Sequence, residues 1–284
     1  MTCRGRSLRL GKVEITCLTD GEILVDAAAM FGDVPRGVWT EAHPPDGQNR
    51  VPLALHSFLV RTPDAVVLTD TGVGEALDPR YAKAYSLRRE KSLIAGLAEA
   101  GCRPEDVNLV VNTHLHFDHC GWNTVRTPAH GIGPAFPRAR YVIQRGEWEV
   151  ALRPKGPDKP SYRPLWQRPL AAAGVLDLLE GGREIAPGVE VIPLPGHTVH
   201  HQGVKVTSDA GVFVSSGDSI PTAAHAGLET TMSFDLDPVE ASASKKRLLE
   251  LAAAEDWILS FGHDPLHPFG RVRRNGLGYA AVYL

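Results

Sequence analysis

The chain has 284 residues, 43% of them hydrophobic and 22% charged, ordinary values for a globular protein and far from those of disordered, collagen-like or coiled-coil chains. Thirty basic residues against 33 acidic ones leave a net charge of −3 with no Lys/Arg block, so no electrostatic hold on nucleic acid is expected. No apolar run reaches the ~18 residues of a membrane span, no apolar stretch follows the basic start as in a secretory signal, and four cysteines are too few for a disulfide framework, so the expected location is the cytoplasm.

From the start, Ser7 to Cys17 reads as an amphipathic strand and Thr19-Asp20-Gly21-Glu22 as a turn. Residues 31–52, rich in Pro, Gly, Asp and Asn, read as a long irregular segment. Leu53 to Val60 and Ala65 to Leu68 form a predicted hairpin turned at Thr62-Pro63-Asp64. Leu87 to Ala100 has helical periodicity and stops at Gly101, and Val107 to Val111 is a short apolar run that suits a buried strand. A strand over Tyr141 to Gln144 and a helix over Arg145 to Leu152 follow, then an irregular Pro-rich piece from Pro154 to Pro169. Val189 to Leu194, Gly203 to Thr207, Val212 to Ser216 and Trp257 to Phe261 read as strands. Pro238 to Ala254 is the clearest helix, with Asp237 as N-cap and Pro238 in its first position. The class is mixed α/β with two strand-rich halves. No linker separates the halves, so one domain over 1–284 is expected, with loop insertions near 31–52 and 153–170.

Twelve histidines are unevenly spread, and three fall in Thr113-His114-Leu115-His116-Phe117-Asp118-His119. This run follows the predicted buried strand, so its backbone starts from a fixed strand end. Imidazole is the commonest protein ligand for zinc-like ions, and carboxylate completes such a shell. His114 and His116 are two apart, so an extended backbone aims both the same way, while Asp118 and His119 lie past the turn and can face a second ion. Two ions need more ligands than these. His197 in Pro195-Gly196-His197-Thr198, Asp218 in Ser216-Gly217-Asp218-Ser219 and His263 in Phe261-Gly262-His263-Asp264 each follow a strand-like stretch and adjoin a glycine.

His114, His116, Asp118, His119, His197, Asp218 and His263, in that order, resemble the two-metal set of the metallo-β-lactamase superfamily. The resemblance runs from Ala65-Val66-Val67-Leu68-Thr69-Asp70-Thr71-Gly72 to Phe261-Gly262-His263-Asp264. It implies an α/β fold, the αβ/βα four-layer sandwich. It also implies one ion held by His114, His116 and His197, a second by Asp118, His119 and His263, and Asp218 bridging both, with Asp70 supporting the site without ligating. The expected cofactors are two divalent ions, zinc first, with manganese, cobalt or iron accepted by the same donors. Two such ions about 3.5–4 Å apart lower the pKa of a shared water toward ~7, which makes a hydroxide nucleophile at neutral pH.

Within the superfamily, His114 to His119 and Gly196-His197-Thr198-Val199-His200-His201-Gln202 are similar to the N-acyl homoserine lactonases of quorum quenching. The expected activity is therefore hydrolysis of a lactone or other carboxylic ester, a small-molecule substrate, with Asp118 shuttling the proton to the leaving group. Phosphotriester hydrolysis, as in methyl parathion hydrolase relatives, is the alternative. A mononuclear iron persulfide dioxygenase sharing the His-x-His-x-Asp-His text is a further one. Those lactonases carry a Tyr three residues after the bridging Asp, where this chain has Pro221; His225, in the loop that follows, is the candidate donor to substrate in its place. Cys120 suits a small buried thiol, and His200 and His201 suit hydrogen-bonding support rather than ligation. Met30, Phe31, Trp39, Tyr162 and Trp166 are candidates either for an apolar pocket wall or for a surface, a homodimer interface included, since relatives often pair.

Overall fold

Alternating strand residues sort the apolar side chains into three layers between two sheets and their helices. The computed structural model describes residues 6–32, 34–127, 131–227, 230–276 and 278–284. The first sheet has the order β1 (Ser7–Leu10), β2 (Val13–Asp26), β3 (Arg50–Arg61), β4 (Val66–Thr69), β5 (Leu109–Val111), β8 (Arg140–Gln144) and β9 (Leu176–Leu179), with β6 (Thr124–Arg126) and β7 (Ile132–Pro134) paired apart from it. The second runs β10 (Arg183–Ala186), β11 (Val189–Pro193), β12 (Gln202–Ser208), β13 (Gly211–Ser215), β14 (Ile258–Ser260), β15 (Phe269–Asn275) and β16 (Gly278–Tyr283). In the first sheet the pairs from β4 to β9 are parallel; in the second only β13 and β14 are, and the long helix Pro238–Ala254 makes that crossover.

Val67, Leu109, Val111 and Val142 face Val191, Val204, Phe213 and Ile258 in the layer between the sheets. Their neighbours Leu68, Val110, Tyr141 and Ile143 point the other way, under Leu93, Leu97, Trp148 and Leu170 from the helices Leu93–Glu99, Arg145–Leu152 and Pro164–Ala173. Val214 and Leu259 point outward from the second sheet against Leu248, Leu249 and Ala252 of the Pro238–Ala254 helix. The result is the expected helix–sheet–sheet–helix arrangement, because a period of two gives each strand one side chain for each layer.

Several local expectations shift. The segment Thr19 to Glu22 is no turn but a bulge inside β2, where Gly21 takes φ +120° and the pairing with β3 slips. Asp20 there is fully buried. Its carboxylate accepts from the backbone N–H groups of Val73, Gly74 and Leu93 at 2.9, 3.0 and 2.9 Å, from Trp122 Nε1 at 2.8 Å, and pairs with Arg89 at 2.9 Å. The first half of the expected helix over Leu87 to Ala100 is drawn straight by this hub. Arg88 makes a two-way backbone bridge with Glu22, Arg89 reaches Asp20, and the helix begins at Leu93 behind Ser92.

The Pro-rich segment contains the helix Pro164–Ala173 with Pro169 inside it; the missing hydrogen bond falls on Leu165, which is exposed, so water can serve that carbonyl. We predict that Asp20→Ala costs about 3–5 kcal/mol, since it strands the Arg89 charge and four buried donors. Urea unfolding of the metal-free protein checks it, with Asp20→Asn expected to cost less.

Candidate metal centre

The strands deliver their ligands to one end of the sandwich. Asp70 follows β4 in a left-handed conformation (φ +56°), which an Asp tolerates better than most side chains. That turn lets its carboxylate accept from the Thr113 N–H at 2.7 Å, the Thr113 hydroxyl at 2.9 Å and His119 Nδ1–H at 3.0 Å, which fixes the loop after β5. Opposite it, Gly217 takes φ +51°, and a Cβ there would lie 2.7 Å from both Thr113 and His201, so only glycine lets Asp218 approach. The sheets are tied at this end by Thr69 to Ser215 (3.2 Å) and by Gln202, whose amide donates to the Asn112 carbonyl at 2.8 Å.

All seven sequence-predicted ligands converge. Three overlapping groups, His114–His116–His197, His114–His119–Asp218 and Asp118–His119–His263, each have candidate ligand atoms within 4.8 Å of one another. Outer hydrogen bonds set the tautomers. His119 donates Nδ1–H to Asp70, His263 donates Nδ1–H to the Ala54 carbonyl at 2.7 Å, and His197 donates Nδ1–H to Asp235 at 3.0 Å. Each therefore turns a lone pair inward at Nε2. His119 Nε2 and His263 Nε2 then face each other at 3.2 Å, and His197 Nε2 faces His116 Nδ1 at 3.2 Å. Two ring nitrogens at that distance need a cation between them, a proton in the metal-free site or a metal ion in a loaded one. His114 Nε2 and Asp218 Oδ1 are buried with no hydrogen-bond partner, as atoms reserved for a cation would be. This donor set fits divalent metal ions.

Asp218 spans both groups. Its Oδ1 lies 3.3 Å from His119 Nε2 and 3.1 Å from His263 Nε2, while Oδ2 lies 3.4 Å from His197 Nε2. Burial alone would raise its pKa, but the His263 and His119 rings outweigh it and hold the carboxyl well below its usual range. Burial likewise opposes charge on His119, and the carboxylates of Asp218, Asp70 and Asp118 override it, lifting that pKa well above the ordinary value. His201 stands behind the site, neutral by burial with a pKa of about 3, and accepts the Asp218 N–H at 3.1 Å.

A model of the metallo-beta-lactamase superfamily matches residues 50–263, a span that includes all seven clustered residues. The chain belongs to the metallo-beta-lactamase superfamily. It is 28% identical over 229 residues to an N-acyl homoserine lactonase of Bacillus cereus, covering 76% of this chain and 83% of that one. A crystal structure of a probable metal-dependent hydrolase from Staphylococcus aureus has a TM-score of 0.88 at 25% identity over 98% of this chain and 99% of that one. A dizinc quorum-quenching lactonase in complex with a product has a TM-score of 0.80 at 20% identity, over 99% and 97% of the two chains, a likeness of fold. As a metallohydrolase of this superfamily, the protein needs a substrate chamber beside this cluster.

A cavity of about 340 Å³ opens on the cluster, with His116, Asp118, His197, Asp218 and His263 at its floor. Ile23, Val25, Met30, Leu53, Met232 and Phe234 give it apolar walls. A larger hollow, about 610 Å³ and lined by residues such as Glu14, Arg61, Lys91 and Glu99, holds none of the clustered ligands. Of the five residues named for either a pocket wall or a surface, only Met30 lines the cavity, and all five are buried. Phe31 and Trp39 stack on each other in the core at 4.7 Å, Trp166 is buried there too, and Tyr162 spends its hydroxyl on Glu147 at 2.9 Å.

The expected role of His225 is not met. Its ring is buried against Phe31, Nδ1 bonds the Thr222 hydroxyl at 2.8 Å and Nε2 the Met30 carbonyl at 2.9 Å, so neither nitrogen is left for substrate. Pro221, at the position of the lactonase Tyr, lends only its carbonyl, which accepts the His263 N–H at 2.8 Å. Cys120 is a buried thiol, its pKa raised by burial, and His200 is exposed beside Gly146. Sequence reading missed Glu147, which accepts from the Leu115 N–H at 3.0 Å and the Thr198 hydroxyl at 2.8 Å and so joins the two ligand loops. It also missed Asp235, in a loop closed by the buried Lys245 amine on the Thr230 carbonyl. Neither carries a motif; each acts across more than thirty residues.

Proposed function

We propose that the protein is a binuclear metal-dependent hydrolase of lactones or related carboxylic esters carrying an apolar chain. The observation that carries this reading is the cavity whose floor is the histidine–aspartate cluster and whose walls are aliphatic and aromatic. His114, His116 and His197 would hold one ion and Asp118, His119 and His263 the other, with Asp218, whose two oxygens lie near nitrogens of both groups, available to either. Bound there, two divalent ions, zinc in the first instance, would supply Lewis-acid activation of water and of the scissile carbonyl. The protein's own groups do the rest. The apolar walls seat the chain and exclude water, and Asp118, whose side chain keeps 15% of its surface exposed, lines the cavity as the group for proton transfer. The identity to an N-acyl homoserine lactonase supports the lactone as first substrate, and the presence of both ligand groups favours two ions over one.

The test is the initial rate of hydrolysis of a long-chain N-acyl homoserine lactone, followed by proton release with metal-reconstituted protein. A kcat/KM of about 10⁴ M⁻¹s⁻¹ or more, lost in His116→Ala, is expected. A rate equal to that of the variant rejects the lactone and moves the assignment to aryl esters and phosphotriesters.

A further inference from the structure

Four of the five clustered histidines have an outer partner for the ring nitrogen that faces away from the cluster. His119 has Asp70, His197 has Asp235, His263 has the Ala54 carbonyl, and His114 Nδ1 has the Thr113 hydroxyl at 3.1 Å. His116 is the exception. Its Nδ1 faces His197 inside the cluster, so its proton must sit on Nε2, and Nε2 is buried with no hydrogen-bond partner. Asp158 Oδ2 lies 3.9 Å from it, itself buried and also without a hydrogen-bond partner. Two complementary groups thus face each other across a gap slightly too wide for a hydrogen bond, and both line the cavity.

Asp158 lies in the Pro-rich insertion, where it precedes the short 3₁₀ turn Lys159–Ser161. That insertion is already fastened to the metal motif. The Phe117 N–H donates to the Ser161 carbonyl at 2.8 Å, His116 and Tyr162 form a bridge, and the Tyr162 ring stands edge-on to His116 at 4.9 Å. A small approach of Asp158 closes the remaining gap without moving the motif.

We propose that Asp158 is the positioning residue of His116, accepting its Nε2 proton so that loading of the ion at His114, His116 and His197 fixes the Pro-rich wall of the substrate cavity. The inference rests on the ligand assignment under Proposed function. A carboxylate in this place orients the ring and makes its ligating nitrogen more basic, an effect commonly worth 10–100-fold in metal affinity.

Zinc titration against a chromophoric chelator, together with ¹⁵N NMR of the histidine rings, tests it on the full chain. Wild type is expected to hold two ions. In Asp158→Ala one of the two dissociation constants should rise about 10–100-fold while the other stays, with Asp158→Asn in between because its amide oxygen still accepts. In the zinc-loaded protein the His116 Nε2 proton should exchange faster in the Ala variant, with the His119 and His263 signals unmoved. Melting of the chelated variants serves as the folding control, and the Asn variant carries the comparison if the Ala variant does not fold. Unchanged constants and an unchanged His116 signal overturn the proposal. Fewer than two ions in wild type would overturn the ligand assignment first, and this inference with it.

Discussion

Asp218→Ala is expected to abolish hydrolysis, with kcat/KM at least about 10³-fold down, and to lower the metal content of both sites rather than one. Lewis-acid stabilisation by bound ions is worth several kcal/mol, and each 1.36 kcal/mol is tenfold in rate. Asp218 reaches the nitrogens of both ligand groups, whereas Asp118 approaches only His119 and His263, each at 3.9 Å. His116→Ala, by contrast, removes a ligand from one group and should cost one ion. Metal analysis of the two variants beside wild type separates these outcomes; loss of only one ion from Asp218→Ala would show that its carboxylate serves a single site.

The same carboxylate sets a pH dependence in the chelated protein. Burial opposes protonation of His119, His197 and His263, but carboxylates, Asp218 foremost for His119 and His263 and Asp235 ahead of Asp218 for His197, raise all three pKa values above the ordinary 6.5. A raised histidine pKa gives stability that is complete below the unfolded value and is lost as pH rises through the folded value. Chelated wild type should therefore lose stability as pH climbs above 6.5, and Asp218→Ala should flatten that slope.

The clustered histidines and aspartates could be picked out because they fall in the loops just after strands whose apolar runs are visible. His114, His116, Asp118 and His119 follow β5, Asp218 follows β13 and His263 follows β14, so local pattern and chemistry lie side by side. The layer arrangement was legible for the same reason, since Val67 and Leu68, or Phe213 and Val214, alternate between two cores. What stayed hidden are polar groups whose meaning is set by distant partners. Asp20 has the look of a turn residue, yet its donors are 53 to 102 positions away. His225 has the look of a spare donor, yet Met30, 195 positions earlier, takes its Nε2. A histidine beside a metal motif and a histidine packed under an aromatic ring read alike until the chain is folded. The β15–β16 hairpin escaped notice as well, because Arg271, Arg273 and Arg274 interrupt its apolar pattern on an edge that needs little burial.

Asp118→Asn is expected to lower kcat on a lactone by about 10²–10⁴-fold with little change in KM, the range typical of a lost proton-transfer group. The carboxylate stands at the rim of the cluster, its Oδ2 at 3.9 Å from both His119 Nε2 and His263 Nε2, and it also lines the cavity. One oxygen can thus ligate while the carboxylate still meets the reacting group, and an amide keeps that shape but cannot carry the proton. A ligand role alone and a proton-transfer role differ in what the leaving group needs. An alkoxide expelled from a lactone ring must be protonated, whereas a nitrophenolate leaves without help. The loss in Asp118→Asn should therefore be far larger on the lactone than on an activated aryl ester, at equal metal content. Equal losses on the two substrates would reduce Asp118 to a metal ligand, and full activity on both with both ions bound would remove it from the mechanism altogether.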